Sequence, residues 1–312
     1  VMSALRCVLP LLGIALSVAG LPSIQLGSEP TLPPCHNPNL KWLLFYTCLT
    51  KEVANQCDEG YDPVGQGGWC NLGFTNDTAL VEKGRQYNMS SLFAVHDIFF
   101  INGQGLNPAY KEAWQKALPS ILPYIKSGSI TGFFIGDELI SGKSVSAEDL
   151  QAVVDTLTPV KKDYPHLFLW LNEGGTAWPK KITSGKLPTE LDVISIDDYA
   201  LTVDEHRAFY NDTLYPMLGP KQGAFLVPAS YGSHINPKEN MTQYEIQMSQ
   251  LALDYYAWAA EDERIWGFAP WHWDTRDPSE VSFGKEIGTA DMPQLKETWT
   301  TIGKSLPNPL LV

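Results

Sequence analysis

The feature that most constrains the fold is an alternation of short apolar runs with longer segments of helical spacing. The apolar runs have strand length and are rich in β-branched and aromatic residues; they cover 41–48, 91–97, 130–136, 167–171, 192–196, 224–228 and 265–269. The helical segments lie between and after them, at 107–126, 146–163, 202–218, 242–262 and 292–305. Strands that are apolar on both faces and alternate with helices are typical of a parallel sheet covered by helices.

The length of the chain, 312 residues, fits one large barrel domain better than two ordinary domains. The interval from Cys48 to Ser91 is long enough to contain a short, distorted second strand, which would make the strand at 130–136 the fourth of eight. We therefore predict an α/β fold, a (β/α)8 TIM barrel over residues 41–312, after an irregular lead-in at residues 20–40 that is rich in Pro, Gly and Ser. An incomplete seven-stranded barrel is the alternative.

The first 19 residues have the pattern of a secretory signal peptide. Arg6 precedes an apolar run at residues 8–19 that includes the small residues Ser17 and Ala19. The run is shorter than the ~18 consecutive apolar residues of a membrane helix, and no later segment approaches that length. We expect a protein that is secreted or in the lumen of the secretory pathway, with no membrane span.

The cysteines and the sequons support the same compartment. Removal of the signal leaves an even number of cysteines, which predicts two disulfides of undetermined pairing: Cys35, Cys48, Cys57 and Cys70. Zinc is disfavoured because no C-x-x-C pair and no matched histidine pair occurs. Four N-glycosylation sequons stand in polar stretches, at Asn76, Asn88, Asn211 and Asn240.

Charge and missing motifs exclude several classes of protein. The net charge of −13 would repel phosphate backbones and anionic lipid, so we expect no nucleic acid partner. The chain has no G-x-S-x-G, H-E-x-x-H or G-x-x-x-x-G-K-[ST] motif, which disfavours a lipase, a zincin and a nucleotide hydrolase. We expect no cofactor, and no residue spacing calls for a metal, although Asp197, Asp198 and Asp274 have the oxygen ligands that suit Ca²⁺ or Mg²⁺. The oligomeric state is left open.

Acidic and aromatic residues follow the predicted strands, where a barrel has its active-site face. The strand ends are followed by His96-Asp97, Asp137-Glu138, Asn172-Glu173, Asp197-Asp198-Tyr199, Ser230-Tyr231 and Trp271-His272-Trp273-Asp274. Carboxyl groups protonate glycosidic oxygens and stabilise oxocarbenium-like centres, while aromatic faces stack on sugar rings. We therefore predict a glycoside hydrolase that acts on an oligo- or polysaccharide, with Asp137 and Glu138 as the catalytic pair. The predicted substrate-binding residues are Glu173, Asp197, Asp198, Tyr199, Tyr231, Trp271, Trp273 and Asp274.

The segment Gly132-Phe-Phe-Ile-Gly-Asp-Glu-Leu139 resembles the strand-end signature of glycoside hydrolase family 20, the β-N-acetylhexosaminidases. The resemblance implies substrate-assisted hydrolysis, with Glu138 as general acid and Asp137 orienting the 2-acetamido group of the sugar. A tyrosine would bind the acetamido oxygen, and Tyr199 and Tyr231 are candidates by position. The segment is also loosely similar to family 18 chitinases, although Gly136 stands where their aspartate precedes the glutamate by two residues.

Residues 265–274 look like the last barrel strand of many glycoside hydrolases, in which a tryptophan lies beneath the sugar. Either Trp271 or Trp273 is the candidate for this role. The alternative is that the two tryptophans share one face of an extended segment, with His272 on the other, and pack within the barrel.

Two other functions are compatible with the same residues. Glu138 could pair with a second carboxylate, Glu173, Asp197 or Asp198, on sugars without an acetamido group. A non-catalytic glycan-binding barrel is the other alternative.

Adjacent side chains on a regular strand point to opposite faces, so Asp137 and Glu138 cannot both enter the site from one. Gly136 and Gly142 indicate that the backbone leaves strand geometry here. We then expect both acids to face the barrel axis, where each carboxylate would make the other harder to ionise, which would help hold Glu138 in its acid form.

Overall fold

The computed structural model describes residues 30–45, 69–101, 105–142, 145–182, 187–233, 241–275 and 286–307. Its strands are β1 Trp42–Leu43, β2 Leu72–Thr75, β3 Ser90–Ala94, β4 Phe100–Ile101, β5 Gly105–Leu106, β6 Ile130–Asp137, β7 Phe168–Gly174, β8 Val193–Asp197, β9 Gly223–Leu226, β10 Tyr231–Ser233, β11 Ile265–Phe268 and β12 Glu286–Gly288. Its helices are α1 Thr78–Gln86, α2 His96–Phe99, α3 Tyr110–Lys126, α4 Ala147–Asp163, α5 Val203–Phe209, α6 Tyr215–Met217, α7 Met241–Glu261 and α8 Pro293–Ser305.

Eight parallel strands form a nearly closed barrel in the order β1-β11-β9-β8-β7-β6-β3-β2. The predicted (β/α)8 barrel is confirmed: the short second strand is β2, and β6 is the fourth barrel strand. The seam lies between β1 and β2, and Asn71 bridges it. The Asn71 N–H donates to Leu43 O over 3.2 Å, and Asn71 Oδ1 accepts from the Leu43 N–H over 3.0 Å. The two remaining pairs, β4 with β5 and β10 with β12, are antiparallel.

Apolar side chains fill two layers, one inside the barrel and one between the strands and the helices. Alternation along each strand assigns its side chains to the two layers. On β7, Trp170 belongs to the inner layer, with ring centroids 4.8 Å from Phe134 and 5.3 Å from Phe225, whereas Leu169 and Leu171 belong to the outer layer. The packed interior leaves the carboxyl ends of the strands as the face on which polar side chains collect.

The helices begin and end largely as their sequences predict. Ser146 caps α4, where its hydroxyl accepts from the Asp149 N–H and Asp149 accepts in return from the Ser146 N–H. The helix predicted at 202–218 is instead divided into α5, a π-helical turn at Tyr210–Leu214 and α6. In that turn Tyr210 is buried, and its hydroxyl accepts from the Ile196 N–H and donates to Phe225 O.

The expectations about cysteines, glycans and membranes fall partly outside the described residues, which omit the signal region, Cys48, Cys57 and Asn240. Cys35 is exposed and Cys70 is buried, and both are free thiols, so they form no disulfide with each other. The two predicted disulfides are therefore not shown. The other three sequon asparagines are exposed: Asn76, Asn88 and Asn211. No helix among the described residues is long and apolar enough to cross a membrane.

Candidate active site

Asp137 closes β6 and faces the interior of the barrel. The register between β6 and β7 shifts between Phe134 and Gly136, and after the shift Asp137 pairs with Asn172. The Asn172 amide then donates from Nδ2 to Asp137 Oδ1 over 2.8 Å. Since Asn172 alternates with the inward Trp170, this hydrogen bond places the Asp137 carboxylate on the inner side of the wall.

Glu138 leaves strand geometry at once, with a φ of +50°. Its N–H still donates to Asn172 O over 3.0 Å, and its carbonyl accepts from the Gly142 N–H over 2.9 Å, which closes a tight turn. The predicted departure from the strand therefore occurs, but Glu138 itself adopts the left-handed backbone that usually favours glycine.

Glycines leave the space that the Glu138 carboxylate occupies. A Cβ on Gly174 would lie 2.3 Å from Glu138 Oε1, and one on Gly142 would lie 3.0 Å from Oε2. Gly174 pairs with Asp197 in the β7–β8 register. The Glu138 carboxylate thus takes the place of an inward side chain at Gly174, next to Asp197.

Asp197 closes β8 and is the third inward carboxyl group. Its pKa is raised to about 8, first by burial and then by the negative charges of Asp137 and Glu138. Its Oδ1 is buried and has no hydrogen-bond partner among the described residues. The expectation that neighbouring acids hold the proton on Glu138 stays a prediction; the same two acids raise the pKa of Asp197.

Glu173 was predicted to bind substrate, but it lies on the outer face of β7, because the alternation that turns Asn172 inward turns it outward. Its carboxylate accepts from the Ile140 N–H over 2.9 Å and from the Ser141 N–H over 2.8 Å. Burial raises its pKa to about 7, although these hydrogen bonds oppose the shift. Glu173 supports the loop that follows Glu138 rather than lining the interior.

Aromatic side chains extend the site on the side of β8 and β10. The Tyr199 and Tyr231 rings meet edge-on with centroids 5.7 Å apart, and Tyr231 stacks on His272 at 5.2 Å and 18°. Tyr199 is 38% exposed. The pKa of its phenol is raised, first by burial and then by groups that include Asp197, Asp137 and Glu138, so the phenol is within electrostatic reach of the three acids.

The two candidate tryptophans separate. Trp271 is half-buried, forms a bridge with Ala229 and packs against the inner layer. Trp273 is buried in the outer layer, with ring centroids 5.0 Å from Phe45 and 5.4 Å from Trp69. The expectation that both would share one face is wrong, because the chain bends at Trp273 and Asp274 instead of remaining extended. Only Trp271 is placed where a sugar could reach it.

The remaining predicted residues lie at the rim. Asp198 is half-buried, and its Oδ1 accepts from the Ala200 N–H over 3.3 Å, which caps a short turn. Asp274 is half-buried where Gly288, at the end of β12, approaches its backbone. Across the described segments, no three His, Cys, Asp or Glu side chains are grouped in a way that would hold a metal ion.

Two residues of the site were missed as binding or catalytic candidates from the sequence. Asn172 was noted only as a polar strand end, and Ser195 was assigned to the apolar run at 192–196. Both are fully buried and directed inward. The alternation of side chains along a strand could have identified them, because residues two apart face the same side. Asn172 is two residues after Trp170, and Ser195 is two before Asp197.

The chain matches no protein-family model and no curated protein sequence. Among solved structures it is similar to a GH2 β-galacturonidase from Eisenbergiella tayi, at 14% identity and a TM-score of 0.55 over 83% of this chain and 48% of that one. A β-glucuronidase from Bacteroides uniformis has 14% identity and a TM-score of 0.53 over 81% and 33%. A GH128 endo-β-1,3-glucanase from Pseudomonas viridiflava has 12% identity and a TM-score of 0.51 over 86% and 98%.

This chain therefore spans about half the length of the galacturonidase and a third of the glucuronidase, but nearly all of the glucanase. These structural neighbours are glycoside hydrolases, and at such low identity the likeness shows the barrel fold they share with this chain. The resemblance of residues 132–139 to families 20 and 18 is not confirmed by them.

Proposed function

We propose that the protein is a secreted glycoside hydrolase in which Glu138 is the general acid and Asp137 assists. The observation that carries the proposal is the group of three carboxyl groups, on Asp137, Glu138 and Asp197, at the carboxyl ends of β6 and β8, the two barrel strands that flank β7. Half-exposed aromatic rings adjoin them, as a sugar substrate requires. The structural neighbours named above are glycosidases, which agrees with this reaction class. Exposure of Asn76, Asn88 and Asn211 is compatible with glycosylation in a secretory pathway.

We further propose a substrate that contains N-acetylhexosamine. In this route the Glu138 carboxyl protonates the glycosidic oxygen while the acetamido oxygen of the substrate attacks the anomeric carbon. Asp137 accepts a hydrogen bond from the acetamido N–H and stabilises the charge that develops on that group. The Asn172 hydrogen bond holds Asp137 in place for this task, and Tyr199, whose phenol is within electrostatic reach of the acids, would donate to the acetamido oxygen.

A second route needs no acetamido group, and the position of Asp197 favours it as the alternative. The Glu138 carboxylate lies over Gly174, and Gly174 is paired in register with Asp197. Neighbouring strands are ~4.8 Å apart, a separation close to the ~5–5.5 Å between the carboxyl groups of retaining glycosidases. Glu138 and Asp197 would then be the acid and the nucleophile.

The test is turnover of a panel of aryl glycosides and oligosaccharides, with and without 2-acetamido groups, by the wild type and by Glu138→Gln. A general acid contributes roughly 10²–10⁴-fold, so we expect a loss of that size on whichever substrate the wild type cleaves. Glu297→Gln, an exposed glutamate of α8, is the matched control and should retain full activity. Binding of glycans without any turnover by the wild type would show a glycan-binding protein instead.

Two further variants separate the routes on the cleaved substrate. In the substrate-assisted route, Asp137→Asn lowers turnover of acetamido substrates strongly, and Asp197→Asn lowers it less. In the two-carboxylate route the order is reversed, and sugars without an acetamido group are cleaved. Equal activity of Glu138→Gln and the wild type would remove Glu138 from either role.

A further inference from the structure

A chain of hydrogen bonds runs from the packed barrel interior to Asp137. Trp170 Nε1 donates to Ser195 Oγ over 2.7 Å, and Ser195 Oγ donates to Asn172 Oδ1 over 2.6 Å. Asn172 Nδ2 then donates to Asp137 Oδ1 over 2.8 Å. Trp170, Ser195 and Asn172 have no exposed surface, so water does not compete for these bonds.

We propose that Trp170 and Ser195 are positioning residues that lock the Asn172 amide with its NH2 group toward Asp137. The role of the pair in turnover rests on the function proposed above, whereas the lock itself does not.

The direction of the chain follows from the chemistry of its first member. An indole N–H donates and has no acceptor, so the Ser195 oxygen must accept from Trp170. The single hydroxyl proton of Ser195 is then directed to Asn172 Oδ1. With its oxygen engaged by Ser195, the amide presents only N–H donors to Asp137, and the Nδ2–Oδ1 hydrogen bond fixes the position of that carboxylate.

Strand register explains why this arrangement is fixed. Asn172 pairs with Asp137 on one side and with Ser195 on the other, so the three side chains lie at the same level of the barrel across β6, β7 and β8. Trp170 is two residues earlier on β7, so it lies deeper in the barrel, where its ring packs between those of Phe134 and Phe225. The packing of the indole therefore fixes the first donor in this series of hydrogen bonds, and Asp137 is the last acceptor.

The key variant is Ser195→Ala, which removes the hydroxyl that orients the amide. The amide can then rotate and present its oxygen to Asp137. We expect the Asn172 side-chain NH2 resonances, observed with selective ¹⁵N-asparagine labelling, to shift or broaden. On a cleaved glycoside we expect kcat to fall, toward the ~10²-fold that a 1 Å misplacement costs, while KM changes little. Ser195→Thr, which keeps the hydroxyl, should restore both the wild-type resonances and the wild-type kcat.

Tyr210→Phe is the matched control for stability. Tyr210 is equally buried, and its hydroxyl joins the neighbouring Ile196 N–H to Phe225 O on the outer side of β8, so its loss also leaves buried polar groups without a partner. We expect it to lower the melting temperature as Ser195→Ala does, with unchanged Asn172 resonances and an unchanged kcat.

Asn172 resonances in Ser195→Ala that match the wild type would overturn the lock, and so would an equal fall in kcat in Tyr210→Phe. Because the resonances require no turnover, a shifted Asn172 signal in a protein that cleaves no glycoside would support the lock and refute only the proposed function.

Discussion

The active-site face has an acidic half and an aromatic half, and the chain builds them in different ways. The acidic half, at the ends of β6, β7 and β8, consists of residues within the strands or directly after them, fixed by register and backbone hydrogen bonds. The aromatic half comes from outside the barrel strands: Tyr199 is two residues after β8, Tyr231 begins the antiparallel strand β10, and Trp271 is three residues after β11.

This difference matches the two tasks of a glycosidase. Proton transfer requires carboxyl groups held within a fraction of an ångström, which paired strands provide. Sugar stacking requires a flat apolar surface and tolerates more adjustment, so loops can supply it. We therefore expect substitutions in the acidic half to change kcat, and those in the aromatic half to change KM.

After the loss of the Glu138 carboxylate itself, the largest effect should come from a small change in the acidic half, Gly174→Ala. The new Cβ would lie 2.3 Å from Glu138 Oε1, so the carboxylate must move away. We expect kcat to fall by roughly 10² with little change in KM, measured on the glycoside that the wild type cleaves. Gly128→Ala is the control: its φ of +74° makes alanine strained, but nothing lies within 4 Å of the new Cβ, so stability should fall and kcat should not. Full activity of Gly174→Ala would show that the position of the Glu138 carboxylate is not critical.

The aromatic half is tested by the two tryptophans that the sequence could not distinguish. Trp271→Ala removes a half-exposed ring at the inner layer, and we expect KM to rise on the order of 10-fold, equal to ~1.4 kcal/mol of binding energy. Trp273→Ala removes a ring buried among Phe45 and Trp69 and should cost roughly 3–5 kcal/mol of folding stability. The melting temperature and KM are measured for both variants: we expect Trp271→Ala to change KM and Trp273→Ala to change the melting temperature. A raised KM for the folded Trp273→Ala protein would contradict this assignment of roles.

The two halves also differ in what the sequence predicts. The alternation of apolar runs and helical segments was enough for the barrel and for β6 as the fourth strand, because burial on both faces leaves a direct signal in composition. The inward positions of Asp137 and Asn172 follow from the alternation of side chains once the register shift in β6 is known. A shift of one residue leaves no signal in the hydrophobicity of the sequence, so it could not be predicted. The fate of Trp271 and Trp273 depends on a bend outside any strand, so neither the alternation of side chains nor composition could separate them.

The smallest effect concerns how the acidic half limits stability at high pH. The pKa of Asp197 is about 8 in the folded protein against 3.8 for an unperturbed aspartate, so its neutral form favours folding. The stability that this group contributes is therefore complete below pH ~3.8 and is lost as the pH rises through about 8. Asp197→Asn is neutral at every pH and should escape this loss, so its melting temperature should rise relative to the wild type between pH 4 and 9. Glu173, whose pKa is also raised, is present in both proteins, so its contribution cancels from the difference between them.

Because the charge of Asp137 contributes to the raised pKa of Asp197, Asp137→Asn should move this loss of stability to lower pH. If the melting temperatures of the wild type and Asp197→Asn change in the same way with pH across this range, the carboxyl group of Asp197 is no harder to ionise in the folded protein than in the unfolded chain. The charges of the acidic half would then not lower the stability of the folded protein.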